Sequence, residues 1–397
     1  MKIAFLLTQS LDSPSGLGRF GPLARELAKL GHEVELFALH PNWAALPQKQ
    51  FVDRGVRVHY VSQMHVKKIG NHKLYFSPPM LLWVSLLATL RLAWALFRSK
   101  AEIVQLCKPQ PFNVVAAWLG GRKRPIFCDC DDYEAATNQF GSQRQQAIVR
   151  YFEDSIVNFA AGISSNTSFT RQRYIDLGYP AEKIVLVPNG VERERIATKS
   201  EPILPAVQQW GQPNAPLILY VGTLGLVSHP VDLLLEAFVL VRQEMPKAQL
   251  LLVGGGEDYD KLKQMAHELG LGDSVCFAGR VAPTAVPAYL RLATVSVDPV
   301  HDDWVAKARS PLKIVESLAM GVPVVSSDVG DRRAMLDNGQ LGELVAAGDA
   351  NALANGICGL LRDEGKQTAV RQRMAQNQAT AWDWATLTTQ FLQVYRR

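Results

Sequence analysis

The sequence predicts an α/β protein built from two parallel-sheet domains, and three observations carry that expectation. Strand-like and helix-like segments alternate along nearly the whole chain; the strand-like segments are continuous apolar runs; and a polar, proline-rich stretch divides the series in two. Strands and helices in alternation require crossover connections and therefore parallel pairing. A parallel strand covered by helices on both faces has no polar side to show, so it reads as an unbroken apolar run. At 397 residues the chain has room for two domains of about 150–200 residues each.

In the first series KIAFLLT (2–8) reads as a strand and LARELAKLG (23–31) as a helix ended by Gly31. EVELFAL (33–39), VRVHYV (56–61), IVQLC (103–107), PIFCDC (125–130), AGISSN (161–166) and KIVLVPNG (183–190) follow as strands. The second series has strands at PLILYVGTL (216–224), QLLLVGGG (249–256), VCFAG (275–279), VSVDPV (295–300) and PVVSSDV (323–329). Helical periods at 231–241, 260–270 and 286–293 lie between them. The expected division is a first domain over 1–195, a linker over 196–214 and a second domain over 215–381. In open sheets of this kind ligands sit at the carboxyl ends of the strands.

The stretch SPLKIVESLAMGVPVVSSDVG (310–330) is the richest in chemistry. Pro311 suits the first turn of a helix, Ser310 suits its N-cap, and Gly321 with Pro323 ends it. VPVVSS then reads as a buried strand. A free helix N-terminus beside such a strand attracts an anion, because its first N–H groups are unsatisfied and the dipole is positive there. The glycines after the second-series strands, in YVGTL, LLVGGG and CFAGRV, bring backbone close to a ligand in a nucleotide-type crevice.

Two motifs of the first series leave alternatives open. Gly16, Gly18 and Gly21 form an acceptor or phosphate loop, or only a tight strand-to-helix turn, and they lack the acidic residue of a dinucleotide site. Asp129, Asp131 and Asp132 end a strand, where they orient a hydroxyl, accept a proton, hold a metal or merely tolerate solvent. If the strand ran that far, Asp129 and Asp131 would share one face.

Composition excludes several classes. Five scattered cysteines with no Cys-x-x-Cys argue against a disulfide framework and a zinc site and fit a reducing cytosol. A net charge of +5 is far from a nucleic-acid signature. The histidines show no metal-binding spacing, and there is no Walker loop or nucleophile elbow. The start MKIAFLL reads as a first strand, not a leader. The apolar stretch 80–97 reaches the lower length limit of a membrane span. Arg91 within it argues against spanning and leaves a buried helix or one that faces a membrane, with Lys67, Lys68, His72, Lys73, Tyr75, Phe76 and Trp83 close by.

Taken in order, KLGHEVELFA, KIVLVPNGVE, YVGTL with VDLLLEAF, LLVGGGEDYDKLKQMAHELGLGDSVCFAGRV, VPAYLRLATVSVDP and the 310–330 stretch resemble the blocks of the retaining glycosyltransferases of family 4. The resemblance covers nearly the whole chain. It implies the GT-B architecture, two Rossmann-like domains with parallel sheets facing across a cleft, and a C-terminal helix at about 382–397 crossing back to the first domain. It also implies a nucleotide-diphosphate sugar on the second domain, a sugar or lipid-linked acceptor on the first, no metal, no cofactor and no nucleic acid.

Glu316 matches the second glutamate of the family's Glu-seven-residues-Glu motif, which holds the nucleotide ribose; the first falls at Ala308. Where the family places an arginine for the diphosphate stands Thr223, and Lys307, Arg309 and Lys313 are the cations grouped at the helix entry, either as a substitute clamp or as a solvated basic face. The implied donor set is Glu316, Ser310, Leu312, Arg309, Gly222, Thr223, Gly255, Arg280 and Val281. Gly16 and Gly18 form the acceptor loop, and Asp129, Asp131 and Lys313 are the catalytic candidates. The resulting expectation is a cytoplasmic glycosyltransferase of polysaccharide or glycolipid synthesis, peripheral on the inner face of the cell membrane at an anionic surface. A nucleotide-sugar epimerase or hydrolase, and a non-catalytic nucleotide-sugar-binding homologue, are the alternatives.

Overall fold

A computed structural model describes residues 1–69, 72–121, 123–137, 140–197, 202–212, 215–376 and 381–396. Of the expected linker, 198–201 and 213–214 lie outside the described residues, and Pro205–Trp210 within it is a short helix. The chain divides into two compact units: Met1–Gly190 with Ala308–Ser310 and Trp384–Arg397, and Val191–Lys307 with Pro311–Asp383. The first unit thus ends at Gly190, earlier than the 195 expected, and takes in the tripeptide Ala308–Ser310, which sequence reading assigned to the second domain.

The first unit's strands are β1 (Lys2–Leu7), β2 (Glu33–His40), β3 (Gln50–Asp53), β4 (Val56–Gln63), β5 (Val66–Ile69), β6 (His72–Tyr75), β7 (Ile103–Cys107), β8 (Ile126–Cys130), β9 (Gly162–Ser165) and β10 (Ile184–Leu186). Eight of them form one sheet in the order β10-β9-β8-β7-β1-β2-β4-β3. All its pairs are parallel except β3 with β4. Alternation decides the packing: along β1, Ala4 and Leu6 enter one apolar cluster while Ile3, Phe5 and Leu7 enter the cluster on the other face. Each such fully buried aliphatic or aromatic side chain stabilises by about 1.5–3 kcal/mol. The helix Trp384–Phe391 completes the second of these clusters with Trp384, Leu387 and Phe391.

Helices α1 (Gly21–Lys29), α2 (Pro78–Arg98) and α3 (Pro111–Gly121) cover this sheet. Along α2, Val84, Ala88, Leu92, Ala93 and Leu96 are buried at helical spacing. Gly120 of α3 allows the close crossing of α2, since a Cβ there would lie 2.2 Å from the Ala93 carbonyl oxygen. The remaining face of α2 is apolar as well, and exposed: Leu82, Trp83, Leu86, Leu90, Trp94 and Phe97. The helix is long and apolar enough to cross a membrane, yet a third of its apolar window is buried in the unit's own core. Arg91, the charge that argued against spanning, lies 4.7 Å from the centroid of the Trp43 ring.

The second unit's strands are β11 (Leu217–Val221), β12 (Gln249–Val253), β13 (Val275–Gly279), β14 (Val295–Asp298), β15 (Val324–Ser327) and β16 (Gly342–Val345). They form a parallel sheet in the order β13-β12-β11-β14-β15-β16. Ile218, Tyr220, Leu250 and Leu252 face one cluster; Leu219, Leu251 and Val253 face the other.

Candidate functional site

In the second unit the candidate residues gather at the carboxyl ends of β11, β12 and β14 and on the helix Leu312–Ala319. That helix begins one residue later than expected. Pro311 is its N-cap and makes no side-chain cap bond, while Ser310 does not cap it: Ser310 Oγ accepts from Asn189 N at 3.0 Å and Ser310 O from Asn189 Nδ2 at 2.8 Å, within the first unit. The first turn therefore has no side-chain acceptor for its free N–H groups.

Lys313 lies in that first turn. Its Nζ is 3.1 Å from Asp298 Oδ1, at the end of β14, and 4.3 Å from the centroid of the Tyr220 ring, near the end of β11. Burial works against the Lys313 charge, but Tyr220 and Asp298 outweigh it and raise its pKa. Asp298 is held in turn by Arg332, whose Nε donates to Oδ2 at 2.7 Å. Burial opposes the carboxylate, and Arg332 and Lys313 nevertheless depress its pKa far below the usual range.

The glycines beside this cluster are demanded by backbone contact. Gly254 has φ +145°, and a Cβ on it would sit 1.8 Å from Gly222 O. A Cβ on Gly222 would meet Tyr220 Oη at 3.0 Å and Lys313 Cε at 3.4 Å. Thr223 contributes its carbonyl, which accepts from Tyr220 Oη at 3.0 Å. Gly255 leaves room for exposed Arg280, whose Cγ would lie 2.9 Å from an added Cβ. Val281 and Leu312 are half-buried and pack against apolar clusters. Glu316 is buried one helical turn after Lys313 and is paired with Arg195.

In the first unit the structure separates residues that the sequence grouped. β8 ends at Cys130, so Asp129 and Asp131 do not share a strand face. Asp129 is fully buried; Arg19 Nε and Nη2 donate to its two oxygens at 2.7 and 2.8 Å, and Ser164 Oγ adds a bond at 2.6 Å. The Asp129 carboxylate is thus enclosed and neutralised within the first unit. Arg19 comes from the turn Gly16–Phe20, and a Cβ on Gly16 would lie 2.1 Å from Ser10 O. Gly16 therefore serves backbone packing, and Gly18 is buried in the same turn.

Asp131 belongs to a separate cluster. Lys108 Nζ lies 3.1 Å from Asp131, 2.7 Å from Asp132 and 2.9 Å from Glu134. These three carboxylates are within 4.8 Å of one another, close enough for one cation to bridge, and the ammonium stands among them. Burial raises the Asp131 pKa, and Lys108 opposes that rise. Lys108 itself has φ +70°, a left-handed conformation that costs a side-chain-bearing residue about 1–2 kcal/mol. Gln110 Oε1 and Asn166 Oδ1, also buried, have no hydrogen-bond partner among the described residues, as acceptors for a ligand hydroxyl or a water would. Arg309 Nε lies 3.7 Å from Asp132, within the first unit. Ala308 is fully buried beside Tyr133 and Ala135, and its carbonyl accepts from Asn166 Nδ2 at 3.2 Å.

Sequence reasoning missed Asp298, Arg332, Tyr220, Arg195, Arg19 and Lys108. The one local signal was Asp298, an acid closing the otherwise uncharged buried strand VSVD.

Two family models match this chain: a glycosyl transferase 4-like domain over residues 17–190 and glycosyl transferases group 1 over 215–363. A GDP-mannose-dependent alpha-(1-6)-phosphatidylinositol monomannoside mannosyltransferase of Mycobacterium tuberculosis is 26% identical over 223 residues, 56% of this chain and 58% of that one. The chain thus spans little more than half the length of that curated relative. A phosphatidyl-myo-inositol mannosyltransferase of Mycolicibacterium smegmatis is 25% identical over 398 residues, covering 100% of this chain and 93% of that one. Among solved structures, sucrose-phosphate synthase from Thermosynechococcus elongatus superposes with a TM-score of 0.76 at 20% identity, covering 100% and 98%. The fold is the GT-B architecture, and the chain belongs to the GT-B glycosyltransferases.

Proposed function

We propose that the chain transfers a hexosyl group, mannose being the first candidate, from a nucleotide-diphosphate sugar to a hydroxyl of a lipid-linked acceptor, with retention of anomeric configuration as in family 4. The observation that carries this reading is Lys313, an ammonium fixed beside the glycine backbone of Gly222 and Gly254, with Glu316 one turn further along the same helix. The relatives' names support the donor and acceptor classes: one is named a GDP-mannose-dependent phosphatidylinositol monomannoside mannosyltransferase, the other a phosphatidyl-myo-inositol mannosyltransferase.

In this reading the diphosphate faces Lys313 and the uncapped amides at Leu312, where a point charge and aligned N–H groups stabilise the departing anion. Glu316 accepts from the ribose hydroxyls. The bond from the anomeric carbon to the β-phosphate oxygen breaks, the bond to the acceptor oxygen forms, and the hydroxyl proton passes to the departing diphosphate. Lys313 and the helix amides meet the developing charge without a metal or a further cofactor. Asp131, Gln110 and Asn166 offer hydroxyl-binding acceptors for the acceptor sugar or inositol ring.

The acceptor class gives the exposed face of α2 a use. Two tryptophans, a phenylalanine and three leucines, preceded by Lys67 and Lys68, suit the interface of an anionic bilayer. The protein would then act as a peripheral enzyme on the cytoplasmic leaflet.

The test is product analysis with GDP-mannose and UDP-glucose, with and without phosphatidylinositol vesicles. Nucleotide diphosphate released only with acceptor, together with a glycosylated lipid, supports transfer. Release without acceptor identifies a hydrolase. Buried Ala308, in place of the family's sugar-contacting glutamate, favours a second reading as a non-catalytic binder, and saturable nucleotide binding without turnover would establish it.

A further inference from the structure

We propose that Asp298 is a positioning residue for the donor: together with Arg332 it fixes the Lys313 ammonium for the diphosphate while leaving the cluster one net positive charge. The inference rests on the reading of Lys313 as the diphosphate clamp and adds to it the device that makes a lone lysine sufficient where Thr223 replaces the family's arginine.

A lysine is a flexible stem with a compact charge, and holding it in one place costs rotamer entropy. Here the stem is confined before any ligand arrives. Gly222 provides the space beside Lys313 Cε, the Tyr220 ring lies 4.3 Å from the ammonium, and Asp298 Oδ1 takes it at 3.1 Å. A simple Lys–Asp pair would be neutral and would not attract an anion. Arg332 alters that balance: its Nε holds the other carboxylate oxygen at 2.7 Å, so two cations share one anion. Arg332 is not free to turn toward a ligand itself, because Nη1 also donates to Ala306 O at 2.9 Å and Val329 O at 3.2 Å. Lys313 is therefore the member with donor capacity left for phosphate, since an ammonium has three N–H groups and Asp298 and the Tyr220 hydroxyl engage two.

Charge and position predict opposite signs for one substitution. Asp298→Asn raises the cluster's net charge from +1 to +2; if only charge mattered, nucleotide diphosphate would bind more tightly. If position matters, it binds more weakly. The decisive variant is the double substitution Asp298→Asn, Arg332→Gln, which keeps the net charge at +1 and removes the buried guanidinium together with its carboxylate, leaving Lys313 as the cluster's charge.

The experiment titrates GDP, UDP, guanosine and uridine into the full chain and the variants by calorimetry, with thermal unfolding as the fold control. Lys313→Ala comes first: if it fails to weaken the diphosphate relative to the nucleoside, the clamp reading itself falls. Given a weakened Lys313→Ala, the inference expects the double variant to lose on the order of tenfold in diphosphate affinity, with nucleoside affinity retained. It also expects no further loss when both changes are added to Lys313→Ala. Unchanged or tighter diphosphate binding in the double variant overturns the positioning role, as does an additive loss in the Lys313→Ala background.

Discussion

Arg19 grips both oxygens of Asp129 across the first unit's interior, at 2.7 and 2.8 Å, and the two side chains are 1% and 0% exposed. Burial disfavours the guanidinium charge, but Asp129 more than compensates and raises the Arg19 pKa. The pair joins the glycine turn to the end of β8 and, through Val187 O at 2.8 Å, to the end of β10. Arg19→Ala would strand a buried carboxylate and should cost about 3–5 kcal/mol in urea unfolding. Replacing both partners, Arg19→Met with Asp129→Leu, should cost much less. An Asp129→Asn protein as stable as wild type but without transferase activity would assign Asp129 a catalytic role instead of a structural one.

Glu153 gives the first unit a pH dependence of definite sign. It accepts from Glu134 N at 3.0 Å and Ala135 N at 3.2 Å, yet burial pushes its pKa to about 8, with Glu134 adding and Arg173 opposing. An acid whose folded pKa lies above its unfolded value binds more protons when folded. Its contribution is most favourable below the unfolded pKa of 4.5 and falls away as pH rises toward about 8. Glu153→Gln should therefore gain stability over wild type between pH 5 and pH 8 as measured by urea midpoints. A constant difference across that range would show that Glu153 titrates normally.

The parallel strands were legible because burial on both faces imposes unbroken apolar runs such as KIAFLL and QLLLV. The edge strand β3 (QFVD) and the hairpin of β5 and β6 were not, since each strand is four residues long and polar residues leave no unbroken apolar run. Within the candidate site, Lys313 and Glu316 were legible because they share one short helix. Their partners were not: Arg332 pairs with Asp298 across 34 residues and Arg195 with Glu316 across 121, and no local period marks such pairs. The carboxylates at 129 and 131 looked alike in sequence, and only the fold shows one neutralised by Arg19 and the other gathered around Lys108.

Membrane association should rest on two separable terms. Lys67 and Lys68, with Lys73 whose side chain lies outside the described residues, each contribute about 1 kcal/mol near an anionic surface. The exposed apolar face of α2 adds a salt-independent part. Lys67→Glu, Lys68→Glu, Lys73→Glu together should abolish flotation with phosphatidylserine vesicles at low salt, and so should Trp83→Asp with Trp94→Asp. Flotation that survives both sets would assign the face of α2 to some other contact.

Glu316 and Lys313 are the proposed nucleotide-diphosphate ligands of the second unit. Calorimetric titration of GDP and UDP into the wild-type chain and Glu316→Gln tests this assignment most directly. Wild type should bind one nucleotide saturably, and the variant should lose about 1.5–3 kcal/mol per charged hydrogen bond. No binding by wild type, or equal affinity in a Glu316→Gln protein with an unchanged unfolding transition, would contradict it.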